Sequence, residues 1–332
     1  MNILLLTLLV LAALLVSGCT INPALSPATP ATTRSGVIIE RFGPVFHEIQ
    51  SEEPVTFRLS VRNAGSVDAT DVHAELLGLD QAWCENTRCQ TSAGGFAEKL
   101  PEEEECRYTG QGFNLKAPDP TLGSPGETRE CTWKYVAPTL DRDLKVTYDA
   151  TARVFYTYQS STVESVIIGS IDELKRVQDS GGTIPSQTVS KSVSPIEISV
   201  AIQSPVRSWK NSATFPVKIT VQNIGGGFAC ARNSGPMKDA CKKTSPEYEK
   251  NRDRVLLKIT GNNLELSDDC TGFENGEPFS LARGISNSFL CDITATGLNQ
   301  GLVERTLTVT ATYEYATDSQ ATITVAGLGY RV

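Results

Sequence analysis

A short stretch that occurs twice decides the fold: Val55–Gly65 reads VTFRLSVRNAG, and Phe215–Gly225 reads FPVKITVQNIG, 160 residues further on. In both copies apolar residues alternate with polar ones, and the segment ends in Asn-x-Gly. Alternation with a period of two is typical of a strand with one buried face. Asparagine and glycine tolerate the backbone angles of a turn. The sequence therefore predicts two related halves built from strands.

Other segments carry the same repeat. Arg153–Ile168 matches Thr310–Val325 at an offset of 157, and the tyrosines of the two segments coincide. A period near 160 residues is too long for a solenoid unit and indicates tandem domains. Within each half, the last strands are expected to form a hairpin, namely Leu144–Tyr158 with Ser161–Ile168, and Thr306–Tyr315 with Ala321–Val325.

These patterns predict an all-β protein made of two tandem immunoglobulin-like antiparallel β-sandwiches, each with two disulfides. The predicted order is a signal peptide (1–18), a lipid-anchored stalk (19–35), sandwich 1 (36–168), a linker (169–194) and sandwich 2 (195–332). Within the linker, Ile171–Gln178 is predicted to form one or two helical turns, with acidic residues first and basic residues last.

The segment Glu53–Leu76, EPVTFRLSVRNAGSVDATDVHAEL, resembles the opening of the CARDB-type immunoglobulin-like domains found on archaeal and some bacterial surfaces. The resemblance covers about 25 residues of the first half and about 12 of the second, up to a longer insertion there. Domains of that group are mostly spacers and binding modules. The resemblance thus implies an interaction protein with an immunoglobulin-like fold.

The N-terminus is predicted to carry an export signal. An apolar run from Ile3 to Val16 is too short for a comfortable membrane span but suits a signal peptide. The following Val16-Ser17-Gly18-Cys19 resembles a lipoprotein lipobox, which implies that Cys19 is the first mature residue and carries the lipid. An ordinary cleaved signal peptide and an uncleaved signal anchor remain the alternatives. The Pro- and Thr-rich residues 20–35 then predict an extended stalk.

Nine cysteines leave eight once Cys19 is set aside, four in each half. An even number per half in an exported chain predicts structural disulfides, because no zinc-like spacing is present. Cys84 and Cys270 follow equivalent strands, and the alignment of the halves makes the equivalent residues Cys131 and Cys291 their partners. The remaining cysteines then form one local pair in each insertion. The predicted bonds are Cys84–Cys131, Cys89–Cys106, Cys230–Cys241 and Cys270–Cys291. A local 84–89 bond is the rival in the first half.

Charge and motifs exclude several functions. The net charge is -8, and no basic block exists that would hold nucleic acid. The only histidines, His47 and His73, have no nucleophile motif beside them, so we predict no enzyme. The acidic run Glu102, Glu103, Glu104 and Glu105, together with Asp119, is the one calcium candidate, but a solvated loop explains it better. We expect neither a metal nor a cofactor.

Recognition, if it occurs, is expected in the two insertions, residues 85–130 and 228–253, because stapled loops lose little entropy on binding. The second is basic in places, at Arg232, Lys238, Lys242 and Lys243. The leading interpretation is a non-enzymatic adhesion or structural protein that is exported and anchored at the cell surface by its N-terminus. Its partner is an unknown surface protein or polymer. The alternative is a solute- or polymer-binding envelope lipoprotein.

Overall fold

The computed structural model describes residues 36–79, 82–85, 106, 112–232, 240–241, 243, 248–298 and 301–328. The fold is all-β with antiparallel sheets, as predicted. The signal peptide, the stalk and Cys19 lie outside the described residues. Within the described ranges, no helix is long and apolar enough to span a membrane.

The first half contributes eight strands to the described structure. They are β1 (Val37–Pro44), β2 (Glu48–Gln50), β3 (Pro54–Asn63), β4 (Ala69–Leu77), β5 (Cys84–Glu85), β6 (Phe113–Leu115), β7 (Thr128–Val136) and β8 (Lys145–Ser170). The opening sequence stretch is β3, which buries Val55, Phe57, Leu59 and Val61 in alternation. The period-two pattern therefore predicted this strand correctly.

The second half begins with helix α1 (Ile171–Asp179) and contains the short helix α2 (Tyr248–Asn251) and a 3-10 turn at Thr271–Glu274. Its strands are β9 (Val189–Lys191), β10 (Ile196–Ile202), β11 (Val206–Ser208), β12 (Ala213–Asn223), β13 (Phe228–Cys230), β14 (Arg254–Gly261), β15 (Leu264–Leu266), β16 (Glu277–Ser280), β17 (Ser286–Ala295) and β18 (Leu302–Ala326). The predicted linker helix is confirmed. It starts where the Ser170 hydroxyl accepts a hydrogen bond from the Glu173 amide at 3.2 Å, as an N-cap does.

Three sheets build the described part of the molecule. Two are four-stranded, with strand orders β1-β3-β7-β5 and β10-β12-β17-β15. The third has ten strands, with the path β16-β14-β18-β8-β4-β6 and four short strands attached to β8 and β18. The two four-stranded sheets are equivalent under the repeat, because each places its Asn-x-Gly strand, β3 or β12, second in order.

The long strands β8 and β18 join the halves. They pair antiparallel from Leu302 opposite Gly169 to Ala326 opposite Lys145, over the whole of β18. The first part of β8 pairs with β4, whereas its last part pairs with β9 and β11 of the second half. In the same way, the end of β18 pairs with β2 of the first half. Each long strand thus starts in the ten-stranded sheet beside its own half and ends beside the other.

The predicted hairpins are wrong, because β8 and β18 each continue where a turn was expected. The polar residues that suggested a turn find partners on the neighbouring long strand or on a strand that packs against it. The Ser160 hydroxyl bonds to the Tyr313 hydroxyl at 2.7 Å, and Thr162 donates to the Ile198 carbonyl at 2.7 Å. On β18, Asp318 lies opposite Arg153 and forms an ion pair with it. Since these side chains have partners in the extended form, the strand does not need to turn.

One continuous hydrophobic core serves both halves. At its centre Tyr156 lies opposite Tyr315 and Tyr158 lies opposite Tyr313, all four at most 1% exposed. Of the two long strands, β1 packs more against β18 and β10 packs more against β8, so each half is covered by a long strand of the other. The described residues from Gly36 onward accordingly belong to a single compact unit. The domain limits 36–168 and 195–332 stay a prediction, and the first of them falls inside β8.

Two of the predicted disulfides are confirmed and two are wrong. Cys230–Cys241 and Cys270–Cys291 form as predicted, but Cys131 bonds to Cys106 rather than to Cys84. The strand register explains why. Cys84 lies opposite Val136 of β7, five residues and therefore about 17 Å along the strand from Cys131, which is beyond the reach of a disulfide. The 89–106 bond is excluded because Cys106 is already bonded to Cys131.

Candidate functional site

The second Asn-x-Gly turn is held by a hydrogen-bond network. The Asn223 amide donates to the carbonyls of Gly227 (2.9 Å) and Gly284 (3.2 Å), and its Oδ1 accepts from the Gly225 amide (3.2 Å). The Tyr315 hydroxyl donates to the same Oδ1 at 2.8 Å and accepts from the Gly227 amide at 3.0 Å. Burial raises the pKa of Tyr315 to about 12, so the hydroxyl remains a donor. These hydrogen bonds therefore hold the turn in a fixed conformation.

A cleft of about 410 Å³ opens beside this turn. One wall is the glycine run Gly225–Gly227, and the others come from the start of β13, the residues before β14, the turn before β17 and the middle of β18. A side chain at Gly225 or Gly227 would collide with Tyr315, whereas a Cβ at Gly226 would meet nothing within 4 Å. The glycine run, predicted to be a turn, is thus confirmed as one, and its middle residue faces open space.

Arginines stacked on aromatic rings form the floor of the cleft. The Arg252 guanidinium lies 5.2 Å from the centre of the Phe228 ring and 5.5 Å from that of Tyr248. The two rings meet edge to face at 6.4 Å. Helix α2 sets this arrangement, because it carries Tyr248 and its first carbonyl accepts the Arg252 amide at 2.8 Å. Contacts of this kind fix a guanidinium plane and are worth about 0.5–1 kcal/mol each at exposed sites.

A second arginine reaches the same ring from the first half. Arg153 of β8 lies 5.5 Å from the Phe228 ring centre and forms a two-pronged ion pair with Asp318, at 2.8 and 2.7 Å. The hydrogen bond to Asp318 raises the pKa of Arg153 above its ordinary value. Asp318, which lines the cleft, is therefore neutralised by a residue of the first half.

Two residues of the cleft have left-handed backbone conformations. Asp253 has a φ of 57° and Arg283 has a φ of 55°. A left-handed conformation is uncommon for an arginine and costs energy that the surrounding structure must supply. The left-handed conformation of Arg283 directs the chain into Gly284, where a Cβ would lie 2.8 Å from the Asp253 carboxylate. Arg283 itself is exposed at the rim.

The second insertion is stapled next to the cleft. The Cys230–Cys241 bond closes it, and the buried carboxylate of Glu314 accepts hydrogen bonds from the Ala240 and Cys241 amides at 3.0 and 2.9 Å. Arg232 donates to Thr157 of β8 at 2.7 Å. The insertion is thus anchored to both long strands.

The equivalent turn of the first half is flanked by a different set of contacts. Asn63 makes the same pair of donor bonds, but the chain after β6 is tied onto the turn. The Ala117 amide donates to the Asp68 carboxylate at 2.8 Å, and the Lys116 amide donates to Glu127 at 3.0 Å. Asp68 stands 160 positions before Phe228 in the repeat. The two equivalent turns are therefore flanked by different groups, namely hydrogen-bonded carboxylates in the first half and the aromatic ring of Phe228 in the second.

The structure does not bring the two histidines together. His73 lies on β4 and stacks on the Phe155 ring at 5.0 Å, and Phe155 lies opposite Ala316. The His47 carbonyl accepts a hydrogen bond from Thr324, eight residues further along β18 and therefore about 25 Å away.

The calcium candidate is only partly described. Glu102, Glu103, Glu104 and Glu105 lie outside the described residues, as do Cys89, Lys238 and Lys242. The Asp119 carboxylate accepts hydrogen bonds from the Thr121 amide and hydroxyl, which lower its pKa, and so its oxygens serve a surface turn. Within the described ranges no group of three or more His, Cys, Asp or Glu side chains is placed to hold a metal ion.

Sequence reasoning pointed to residues 228–253, and the cleft lies at the two ends of that insertion. It missed the arginine–aromatic cluster, because Arg153, Phe228, Arg252 and Arg283 are spread over 130 positions. Arg232, one of the basic residues that was singled out, forms an ion pair with Asp71 at 3.3 Å. A usable signal was the alternation of arginine and aspartate in Asn251–Arg254, directly before a strand.

No protein-family model matches the chain, and no curated protein matches its sequence. Among solved structures, that of the Enterococcus faecalis MSCRAMM ACE, described as binding its ligands by the collagen hug model, aligns at 8% identity. The alignment covers 88% of this chain and 95% of that one, with a TM-score of 0.13. A TM-score of this size does not indicate a shared fold.

Proposed function

We propose that the chain is an exported, non-enzymatic interaction protein of the cell surface and that it binds its partner through the cleft beside β13. The observation that carries the proposal is the fixed cluster of Arg252, Phe228 and Tyr248 next to the stapled insertion. A site that is rigid before binding loses little entropy when its partner arrives. Arginine and aromatic side chains are also the residues that dominate binding energy at protein interfaces.

The disulfides support the exported location. Three bonds join described cysteines, and such bonds form and persist outside the reducing cytosol. We propose that Cys19 holds the chain at the membrane and that residues 20–35 act as the spacer. Replacing Cys19 by Ser is expected to release the protein from the membrane fraction. Equal retention of both forms after a salt wash would exclude the lipid anchor.

Cross-linking on intact cells tests the proposed function. A membrane-impermeant, amine-reactive cross-linker is added to cells that display the full chain, and the adducts are mapped by mass spectrometry. We expect partner peptides to be joined to lysines around the cleft, such as Lys243. A chain that the reagent does not reach, or adducts confined to the opposite end of the molecule, would contradict the proposal.

The cleft also leaves room for the alternative of a solute-binding envelope protein, because its volume of about 410 Å³ lies in the range of small-molecule sites. The two functions differ in what occupies the cleft. A bound small solute, recovered from the purified protein by denaturation and identified by mass spectrometry, would favour the alternative.

A further inference from the structure

We propose that the cleft binds the carboxylate of an acidic polypeptide segment, with Arg283 and Arg252 as the donors. The inference rests on the proposed function and names the chemistry that its partner must offer. Its basis is the balance of charges, the free hydrogen-bond donors and the covered aromatic rings of the cleft.

Arg283 has hydrogen-bond donors that no other described residue accepts from. Within the described residues it makes neither a hydrogen bond nor an ion pair, and yet the chain holds it in a left-handed conformation at the rim. An arginine offers five donors in a planar fork that matches a carboxylate in a bidentate manner. The strained backbone therefore presents a complete, unused carboxylate-binding group at the entrance of the cleft.

Arg252 is a second donor with a fixed orientation. Its guanidinium stacks on the rings of Phe228 and Tyr248, and its Nε lies 3.7 Å from the Asp253 carboxylate, too far for a hydrogen bond. Stacking uses the face of the guanidinium and leaves its N–H edge free. The Arg252 fork can thus bind an incoming carboxylate without reorganisation of the floor.

The charges of the cleft leave one positive charge uncompensated. Among the described residues that line the cleft, Asp318 is neutralised by Arg153, and Asp253 is the one other acidic residue beside Arg252 and Arg283. The chain as a whole carries a net charge of -8, so its other surfaces repel anions on average. A local positive charge on a negative protein confines an acidic ligand to this cleft.

The covered rings favour a polypeptide over a sugar acid. Sugar rings are bound largely by stacking on aromatic faces, but Phe228 lies under two guanidinium groups and Tyr248 is 5% exposed. The recognition groups that remain are N–H donors, which suit the carboxylate of a flexible Glu or Asp side chain.

The experiment measures binding of a terminally blocked, fluorescent peptide of alternating Gly and Glu to the full chain by anisotropy at low salt. The matched glutamine peptide, an oligogalacturonate and a phosphoserine peptide serve as the other arms. We expect the glutamate peptide to bind more tightly than the other three. Arg283→Gln should weaken its binding about tenfold or more, the equivalent of one lost charged hydrogen-bond pair. Arg58→Gln removes an exposed arginine of β3 far from the cleft and should leave binding unchanged.

A second pair of variants keeps the test independent of folding. A Cβ at Gly226 meets no atom within 4 Å, so both Gly226→Ala and Gly226→Asp fit the fold. Gly226→Asp should abolish peptide binding because its carboxylate competes for the arginines, and it should therefore bind far more weakly than Gly226→Ala, which adds an uncharged methyl group at the same position. Equal melting temperatures of the two variants exclude unfolding as the cause.

The inference is overturned if the glutamate and glutamine peptides bind alike, if Arg283→Gln binds like the unmodified chain, or if a sugar acid or phosphopeptide binds best. Failure of the proposed function has a different signature. In that case the cross-links on intact cells avoid the cleft, whatever the peptide does. Cross-links at the cleft that persist in Arg283→Gln would be consistent with the proposed function and would contradict only the proposal that the partner binds through a carboxylate.

Discussion

The two Asn-x-Gly turns are built alike and end differently. In each, an asparagine donates to two carbonyls and accepts from the glycine two positions on, while the tyrosine hydroxyl of a long strand reaches the turn. Beyond the first turn a polar segment closes the surface, and beyond the second lies the cleft. The difference teaches that the repeated sequence encodes the scaffold, whereas the insertions that interrupt the repeat determine what the scaffold presents.

The cysteines follow the same division. Cys131 and Cys291 are equivalent, and each ties its β7 or β17 to the preceding chain, at Cys106 and Cys270. The Cys230–Cys241 bond has no described counterpart in the first half, and it holds the insertion beside the cleft. The disulfide that both halves share therefore stabilises the core, and the additional disulfide holds the insertion beside the candidate site.

The largest effect is expected at the shared core. Tyr156→Ala and Tyr313→Ala remove equivalent, fully buried side chains and should each lower the free energy of unfolding by about 3–5 kcal/mol. Because one core joins the halves, both variants should shift the same single transition in differential scanning calorimetry.

Independent domains would behave differently. Two transitions in the unmodified protein, of which Tyr156→Ala moves one and Tyr313→Ala the other, would contradict the shared core. A suitable control is Arg58→Gln, which is exposed and should leave the transition in place.

Removal of disulfides should have the next largest effect. The chain-entropy model gives about 3.5 kcal/mol for the bond that closes 25 residues between Cys106 and Cys131, and about 2.8 kcal/mol for the 11 residues between Cys230 and Cys241. Double serine variants measured by chemical unfolding should follow that order.

The pairing itself is checked by peptide mapping without reduction. A cross-linked peptide that contains Cys106 and Cys131 is expected, and the rival 84–89 bond is then the one left for the first half. Recovery of a peptide that joins Cys84 to Cys131 would show that the register of β5 and β7 is wrong.

Local sequence patterns predicted what depends on near neighbours. The strands β3 and β12 follow from alternation, helix α1 from its charge order, and the glycine turn from its composition. The partner of Cys131 was missed because it depends on register, and the continuity of β8 was missed because Ser160 and Thr162 are satisfied by residues that lie 36 or more positions away. Predictions thus failed wherever a distant segment supplied the missing hydrogen bond.

The two turns themselves should differ in sensitivity. Asn63 is fully buried and Asn223 is only partly so. Asn63→Ala leaves the Leu115 and Val67 carbonyls and the Gly65 amide without the Asn63 side chain as partner, and should cost about 2–3 kcal/mol. Asn223→Ala should cost about 1–2 kcal/mol because water reaches its partners more easily. Thermal unfolding of both variants measures the difference, and an equal loss would show that burial does not distinguish the turns.

The smallest effect concerns Glu164, a charge that the second half lacks. The position equivalent to Glu164 by the 157-residue offset is Ala321, and both lie on the long strand pair. Glu164 is 3% exposed, and its Oε2 has no hydrogen-bond partner in the part of the chain that the structure describes. Lys191 on the neighbouring strand is bonded to Glu197 and Ser199 instead. Burial therefore raises the pKa of Glu164, and Lys191 offsets this only in part.

The sign of the pH dependence follows from proton binding. Between the ordinary pKa of a glutamate and the raised pKa of Glu164, the folded state binds more protons than the unfolded state, so stability falls as pH rises through that window and is level above it. Glu164→Gln has no such proton to lose. Its melting temperature relative to the unmodified protein should thus be higher at pH 8 than at pH 4, and a difference that is the same at both pH values would show that Glu164 is solvated. Lys191→Gln, made in the otherwise unmodified chain, should enlarge the loss of stability with rising pH. It removes the positive charge that partly stabilises the ionised carboxylate.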